Sequence, residues 1–134
     1  MTAEEIISHF GLQPHPEGGW FKETWREQSL PRAQGTAIYF LLEADQNSHW
    51  HKVDATEIWH WYVGAPVQLD IYVTETQTLL LGADISGGQE PQHIVPKDAW
   101  QRAKPVGGWA FVGCTVSPGF EFDGFELAPK GWNP

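Results

Sequence analysis

The residues best suited to chemistry lie in one stretch: Ser48-His49-Trp50-His51, then Glu57, then Gly64. Two histidines one residue apart on an extended strand project to the same side. A carboxylate carried by the next strand can return beside them. Two imidazoles and one carboxylate on one wall form a ligand set that leaves open positions on a divalent metal. The same groups also suffice for proton transfer without a metal. On the residues alone, both chemistries stay open.

Other nucleophile and acid–base candidates are weaker. Cys114 sits mid-strand between small and β-branched residues, a buried setting unlike the electropositive one a reactive thiolate needs. Ser48 and Ser117 have no neighbours that suggest activation. His60 and His93 read as structural or surface residues. His15 lies in a turn whose prolines and glycines answer to backbone demands.

The whole chain bounds what such a site can serve. Its 134 residues predict one domain over residues 1–134, long enough to bury a core without staples. A single cysteine excludes an internal disulfide and suits a reducing, cytoplasmic setting. The first residues lack a secretory leader pattern, and no apolar run approaches membrane-spanning length. The formal net charge of -9 and pI of about 4.9 disfavour nucleic acid and anionic membrane surfaces as partners. A small molecule is the expected partner. Eight tryptophans predict a core rich in indole, with some left to stack on a flat ligand.

The elements that must position the site are mostly strands. Thr2 and Glu5 form a capping box, Ile6, Ile7 and Phe10 recur at helical spacing, and Gly11 supplies a stop, so one short N-terminal helix is expected. The turn Pro14-His15-Pro16-Glu17-Gly18-Gly19 follows. Strands are then expected at Trp20–Arg26, Thr36–Leu42, Glu57–Val63, Val67–Val73, Thr78–Leu81, His93–Val95, Trp109–Val116 and Phe120–Leu127. The tail after Leu127 reads as loose, with Trp132 free to dock. Many short strands after one helix argue an all-β sandwich or barrel.

Several segments resemble a known family. H-x-H-x(5)-E-x(6)-G over His49 to Gly64 is similar to the first motif of the cupin superfamily. Pro96 to Gln101 is similar to its second motif, P-x-G-x-x-H, with Asp98 at the glycine position and Gln101 at the histidine position. L-x-P-H-P-E-G-G-x-F at Leu12 to Phe21, G-T-A-I-Y-F-L-L at Gly35 to Leu42, D-A-T-E-I-W-H-W-Y at Asp54 to Tyr62 and V-G-C-T-V-S-P-G-F-E-F at Val112 to Phe122 together resemble a family of small RmlC-like cupins of unknown function. The resemblance implies a double-stranded β-helix, or jelly-roll barrel, with a cleft at one open end. It also implies a homodimer.

By position, Glu57 resembles the family's inward glutamate, and period-2 alternation puts Trp59 and Trp61 on its face. The expected pocket wall is His49, His51, Glu57, Trp59, Trp61 and Gln101. His51 and Glu57 are the expected catalytic pair. Trp59 and Trp61 would stack on a ring, Gln101 would orient a hydroxyl or carbonyl, and Arg26 could pair with Glu57. The resemblance further implies a single divalent metal (Fe, Mn, Ni or Zn) held by His49, His51, Glu57 and Gln101. An amide in place of the usual third imidazole weakens that set. The gap from His51 to Glu57 is one residue longer than usual in cupins, so a bulge that turns His49 away is also open. Functionally, a metal-dependent or His/Glu acid–base enzyme acting on a sugar-like or other small substrate is expected. The alternative is a non-catalytic module that binds a carbohydrate or nucleotide sugar.

Overall fold

The computed structural model describes residues 1–134. Helix α1 (Ala3–Phe10) starts at the capping box: the Glu5 amide donates to the Thr2 hydroxyl, and Gly11 closes the helix in the left-handed region. Ile6 buries against Leu12, Leu41 and Phe111, which fixes the helix to the outside of one sheet.

Eleven strands follow: β1 (Gln13–Pro14), β2 (Trp20–Arg26), β3 (Thr36–Leu42), β4 (Ser48–Val53), β5 (Thr56–Gly64), β6 (Val67–Tyr72), β7 (Thr76–Leu81), β8 (Gln92–Val95), β9 (Trp100–Pro105), β10 (Ala110–Ser117) and β11 (Phe125–Leu127). They form two sheets, ordered β1-β2-β3-β10-β5-β8 and β11-β4-β9-β6-β7. This is the jelly-roll arrangement of the cupins. The core lies between the sheets, where Phe40, Trp59 and Val112 of one meet Val67, Leu69 and Leu81 of the other. Each such side chain contributes about 1.5–3 kcal/mol by leaving water. No helix is long and apolar enough to cross a membrane.

Three local features depart from simple patterning. Strands β4 and β9 pair Ser48 with Ala103 and His51 with Gln101, so β4 carries an extra residue between them. That bulge breaks the period-2 relation between His49 and His51. Ser48 and His51 become the buried pair, and His49 turns outward. The expected strand Phe120–Leu127 is half realised: Phe122–Gly124 form a 3₁₀ turn, and only Phe125–Leu127 pair, with β4. The tail is docked. Trp132 packs against Trp100 with ring centroids 4.6 Å apart, and the Trp50 indole donates to Asn133 Oδ1 at 3.1 Å.

Candidate functional site

One cavity of about 60 Å³ opens at the end of the barrel. Its floor is polar and buried: His15, Glu17, His51, Glu57 and Cys114. Its walls are apolar, with Phe21, Ile38, Val116, Phe120 and Phe125 among them. Glu23, Arg26 and the exposed Phe122 stand at the mouth.

Glu17 reaches the floor through the turn between β1 and β2. Within it the His15 amide donates to the Gly19 carbonyl, and the Gly18 amide donates to the His15 carbonyl. Gly18 has φ +104°, and a Cβ there would lie 2.1 Å from the Asn47 carbonyl oxygen. Only glycine allows both the conformation and the approach. The His49 amide donates to the Glu17 carbonyl at 2.7 Å, tying the turn to β4. The Glu17 amide in turn donates to His15 Nδ1 at 3.1 Å. Nδ1 is therefore an acceptor, and its 3.4 Å separation from Glu17 Oε1 is not an ion pair. Burial holds the His15 pKa below its usual value, against Glu17, whose charge raises it, and with a smaller lowering from His51.

His51 is different. Its Nδ1 donates to the His49 carbonyl at 2.7 Å. Its Nε2 lies 2.8 Å from Glu17 Oε2, a buried ion pair at hydrogen-bonding distance. Burial opposes a charged ring, yet the Glu17 carboxylate, with help from Glu57 and the His49 carbonyl, outweighs it and raises the pKa to about 9. For Glu17 burial pushes upward, but the charge and hydrogen bond of His51, with smaller pulls from His15 and Ser48, together outweigh it, so the carboxyl lies below its usual range. Near neutral pH these two are an imidazolium and a carboxylate.

Glu57 looks into the same cavity without touching that pair. Burial pushes its pKa up; His51 pulls down, Glu17 pushes up again, and Gln101 and Cys114 pull down through hydrogen bonds. The outcome is about 7. Burial likewise drives the Cys114 thiol well above its usual pKa, aided by Glu57 and Glu17, so it stays protonated and inert.

The remaining predicted residues divide. Arg26 stands at the mouth but is engaged, donating twice to Glu23 and once to the Phe120 carbonyl. It does not pair with Glu57. Gln101 is fully buried and donates to Glu57 Oε1 at 2.7 Å rather than lining the cavity. Trp59 is in the core, its indole donating to Gln101 Oε1 at 2.9 Å. Trp61 lies further along, donating to the Ala65 carbonyl. Both share the face of Glu57, but each two residues advance the strand by about 7 Å. They pass the cavity, and neither forms the stacking wall expected of them.

His49 lies on the opposite side of β4, its Nε2 3.2 Å from the Pro129 carbonyl. Of the four expected metal ligands, His49 and Gln101 are thus turned away or fully hydrogen-bonded, and His51 Nε2 faces Glu17. No group of three or more His, Cys, Asp or Glu side chains is arranged to hold an ion. This donor set does not fit the metal expected from the resemblance.

Glu17 and His15 are absent from the predicted wall. Turn chemistry accounts for the two prolines and two glycines around them but not for an acid and an imidazole. That surplus was the available signal.

A family model described as Cupin superfamily (DUF985) matches residues 4–128. No curated protein matches the chain. A crystal structure of a Shewanella oneidensis protein is 34% identical, with a TM-score of 0.92 over 96% of this chain and 85% of the other. A hypothetical protein from Leishmania major is 30% identical, with a TM-score of 0.89 over 96% and 88% of the two chains. Oxalate decarboxylase of Bacillus subtilis is 12% identical, with a TM-score of 0.65 over 86% of this chain and 29% of that one. The last is a likeness of fold alone.

Proposed function

This chain belongs to the DUF985 family of the cupin superfamily, and from that premise we propose that it is an acid–base enzyme acting on a small molecule inside its barrel. The observation that carries the proposal is Glu57. Its carboxyl group, with a pKa of about 7, faces a largely apolar cavity beside the fixed charge of His51. A general base works best when its pKa lies near the working pH.

In this reading Glu57 as carboxylate takes a proton from a carbon beside a carbonyl. The C–H electron pair becomes a carbon–carbon double bond, the carbonyl π pair moves onto the oxygen, and the imidazolium of His51 stabilises the negative charge that develops there. Glu57, now an acid, returns the proton. Glu17 keeps His51 charged and oriented. Within the expected catalytic pair, Glu57 is thus the base and His51 the charged partner. The phenylalanine walls take the place of the tryptophans, which suits a substrate with an apolar body and one carbonyl or hydroxyl end. Arg26 stays a candidate contact at the mouth. We also carry forward a single domain, a homodimer and a cytoplasmic setting, the last from one buried cysteine.

The test is deuterium uptake beside the carbonyl in a panel of small ketones and aldehydes incubated with the protein in D₂O. Uptake that Glu57→Gln abolishes supports the proposal. Binding without uptake, unchanged in Glu57→Gln, supports the alternative of a non-catalytic binding module, which the apolar walls favour. Neither binding nor uptake overturns both.

A further inference from the structure

Glu57 is held by a buried chain that crosses the barrel. Trp59 and Glu57 lie two residues apart on β5, and Gln101 comes from β9 of the opposite sheet. An indole N–H is a donor only, so the Gln101 atom 2.9 Å from Trp59 Nε1 is the amide oxygen. The amide NH₂ is then the group 2.7 Å from Glu57 Oε1. An NH₂ can only donate, so Oε1 is permanently an acceptor. Either flip of the amide would satisfy a carboxyl group that can be protonated; the indole removes that freedom.

We infer that Trp59 and Gln101 are positioning residues that make Glu57 a one-oxygen acid–base group, with Oε1 capped and Oε2 alone exchanging protons. The inference rests on reading Glu57 as the acid–base group of the site. It explains why an amide stands where the cupin motif has histidine: an imidazole between Trp59 and Glu57 would itself compete for the proton. The groups that face Glu57 are His51 on β4, Glu17 and His15 from the turn, and Cys114 on β10, with Glu23 and Arg26 at the mouth. His51 is the cross-strand neighbour of Gln101 and Cys114 that of Trp59, yet the hydrogen bonds of the two side chains run only to each other and to Glu57.

The experiment follows the carboxyl carbon of Glu57 by NMR across pH in protein labelled at glutamate, with Glu57→Gln assigning the signal. Substrate is not needed, so the result is independent of whether the barrel turns anything over. Gln101→Leu removes the cap and is expected to raise the titration midpoint by about one to two pH units. Trp59→Phe keeps the amide but frees it to turn its oxygen toward Glu57, which favours the protonated acid, so the midpoint rises as well. Gln101→Met, closer in length, serves if the leucine variant does not fold. A midpoint that stays within about 0.3 of wild type in the Gln101 variants, or one that falls, overturns the inference. So does an unchanged midpoint in folded Trp59→Phe, which would show that the indole does not set the amide.

Discussion

Replacing Glu17 with glutamine should remove most of the pH dependence of stability on the alkaline side. The pKa of His51 rises from 6.5 to about 9 in the folded protein. That gap corresponds to about 3 kcal/mol of preference for the charged ring in the fold. Because the folded value is the higher one, this stabilisation is complete below pH 6.5 and is lost as pH rises through 9. Urea unfolding of the wild type should therefore lose about 3 kcal/mol between pH 6.5 and 9.5 from this residue. In Glu17→Gln the opposing charge is gone and burial dominates, so His51 should be neutral at pH 7, its titration moved down by about two pH units or more. The variant should be weaker than wild type at pH 6.5 and should converge on it, or pass it, by pH 9.5. Unfolding curves at pH 6.5, 7.5, 8.5 and 9.5, together with NMR titration of the His51 ring, measure both. A wild-type stability that is flat over this range, or a Glu17→Gln slope equal to it, would refute the ion-pair assignment.

Three further outcomes are expected. Glu57→Gln should be more stable than wild type at pH 8 by as much as about 3 kcal/mol. A carboxyl raised from 4.5 to about 7 loses its stabilisation as pH rises through that window, and an amide does not; equal urea midpoints would contradict its burial as a carboxylate. Gly18→Ala should cost about 2 kcal/mol or more, since it adds left-handed strain to a Cβ placed against the Asn47 carbonyl; a melting temperature within a degree of wild type would show that the turn tolerates a side chain. Deleting residues 129–134 should cost about 1–3 kcal/mol by uncovering Trp50 and Trp100, and should blue-shifted tryptophan emission persist at wild-type stability, the tail is not docked in solution.

Much of the architecture was legible because it follows from patterns that need no partner. The helix is announced by its capping box and its terminal glycine. Strands β2 and β3 begin and end where the alternation does. Strand β9 was invisible for the opposite reason. Its inward residues are Gln101, Ala103 and Pro105, too small or polar to make a period-2 signal. Segment 120–127 alternates like a strand, but its phenylalanines serve the cavity and interrupt the pairing. At the site, His51 and Glu57 could be placed from spacing, because consecutive strands in opposite sheets each turn one face into the barrel. Glu17 could not, since its burial depends on a turn closing over β4. The tryptophans erred in height rather than in face: alternation says which side of a sheet a residue takes, not how far along the barrel it falls.

The backbone bond between residue 17 and residue 49 has a consequence for motion. The acid and the imidazole that neutralise each other hang from peptide segments joined directly, only two residues from the ring. Residue 17 hangs from the β1–β2 turn of one sheet and residue 49 from β4 of the other, so this bond resists any separation of the two sheets at the cavity floor. Glu57, on β5 of the sheet that carries the turn, is tied across the same divide by its bond from Gln101 on β9. Thermal opening of the barrel must therefore break one of these two ties before the floor of the gap that a guest occupies can widen.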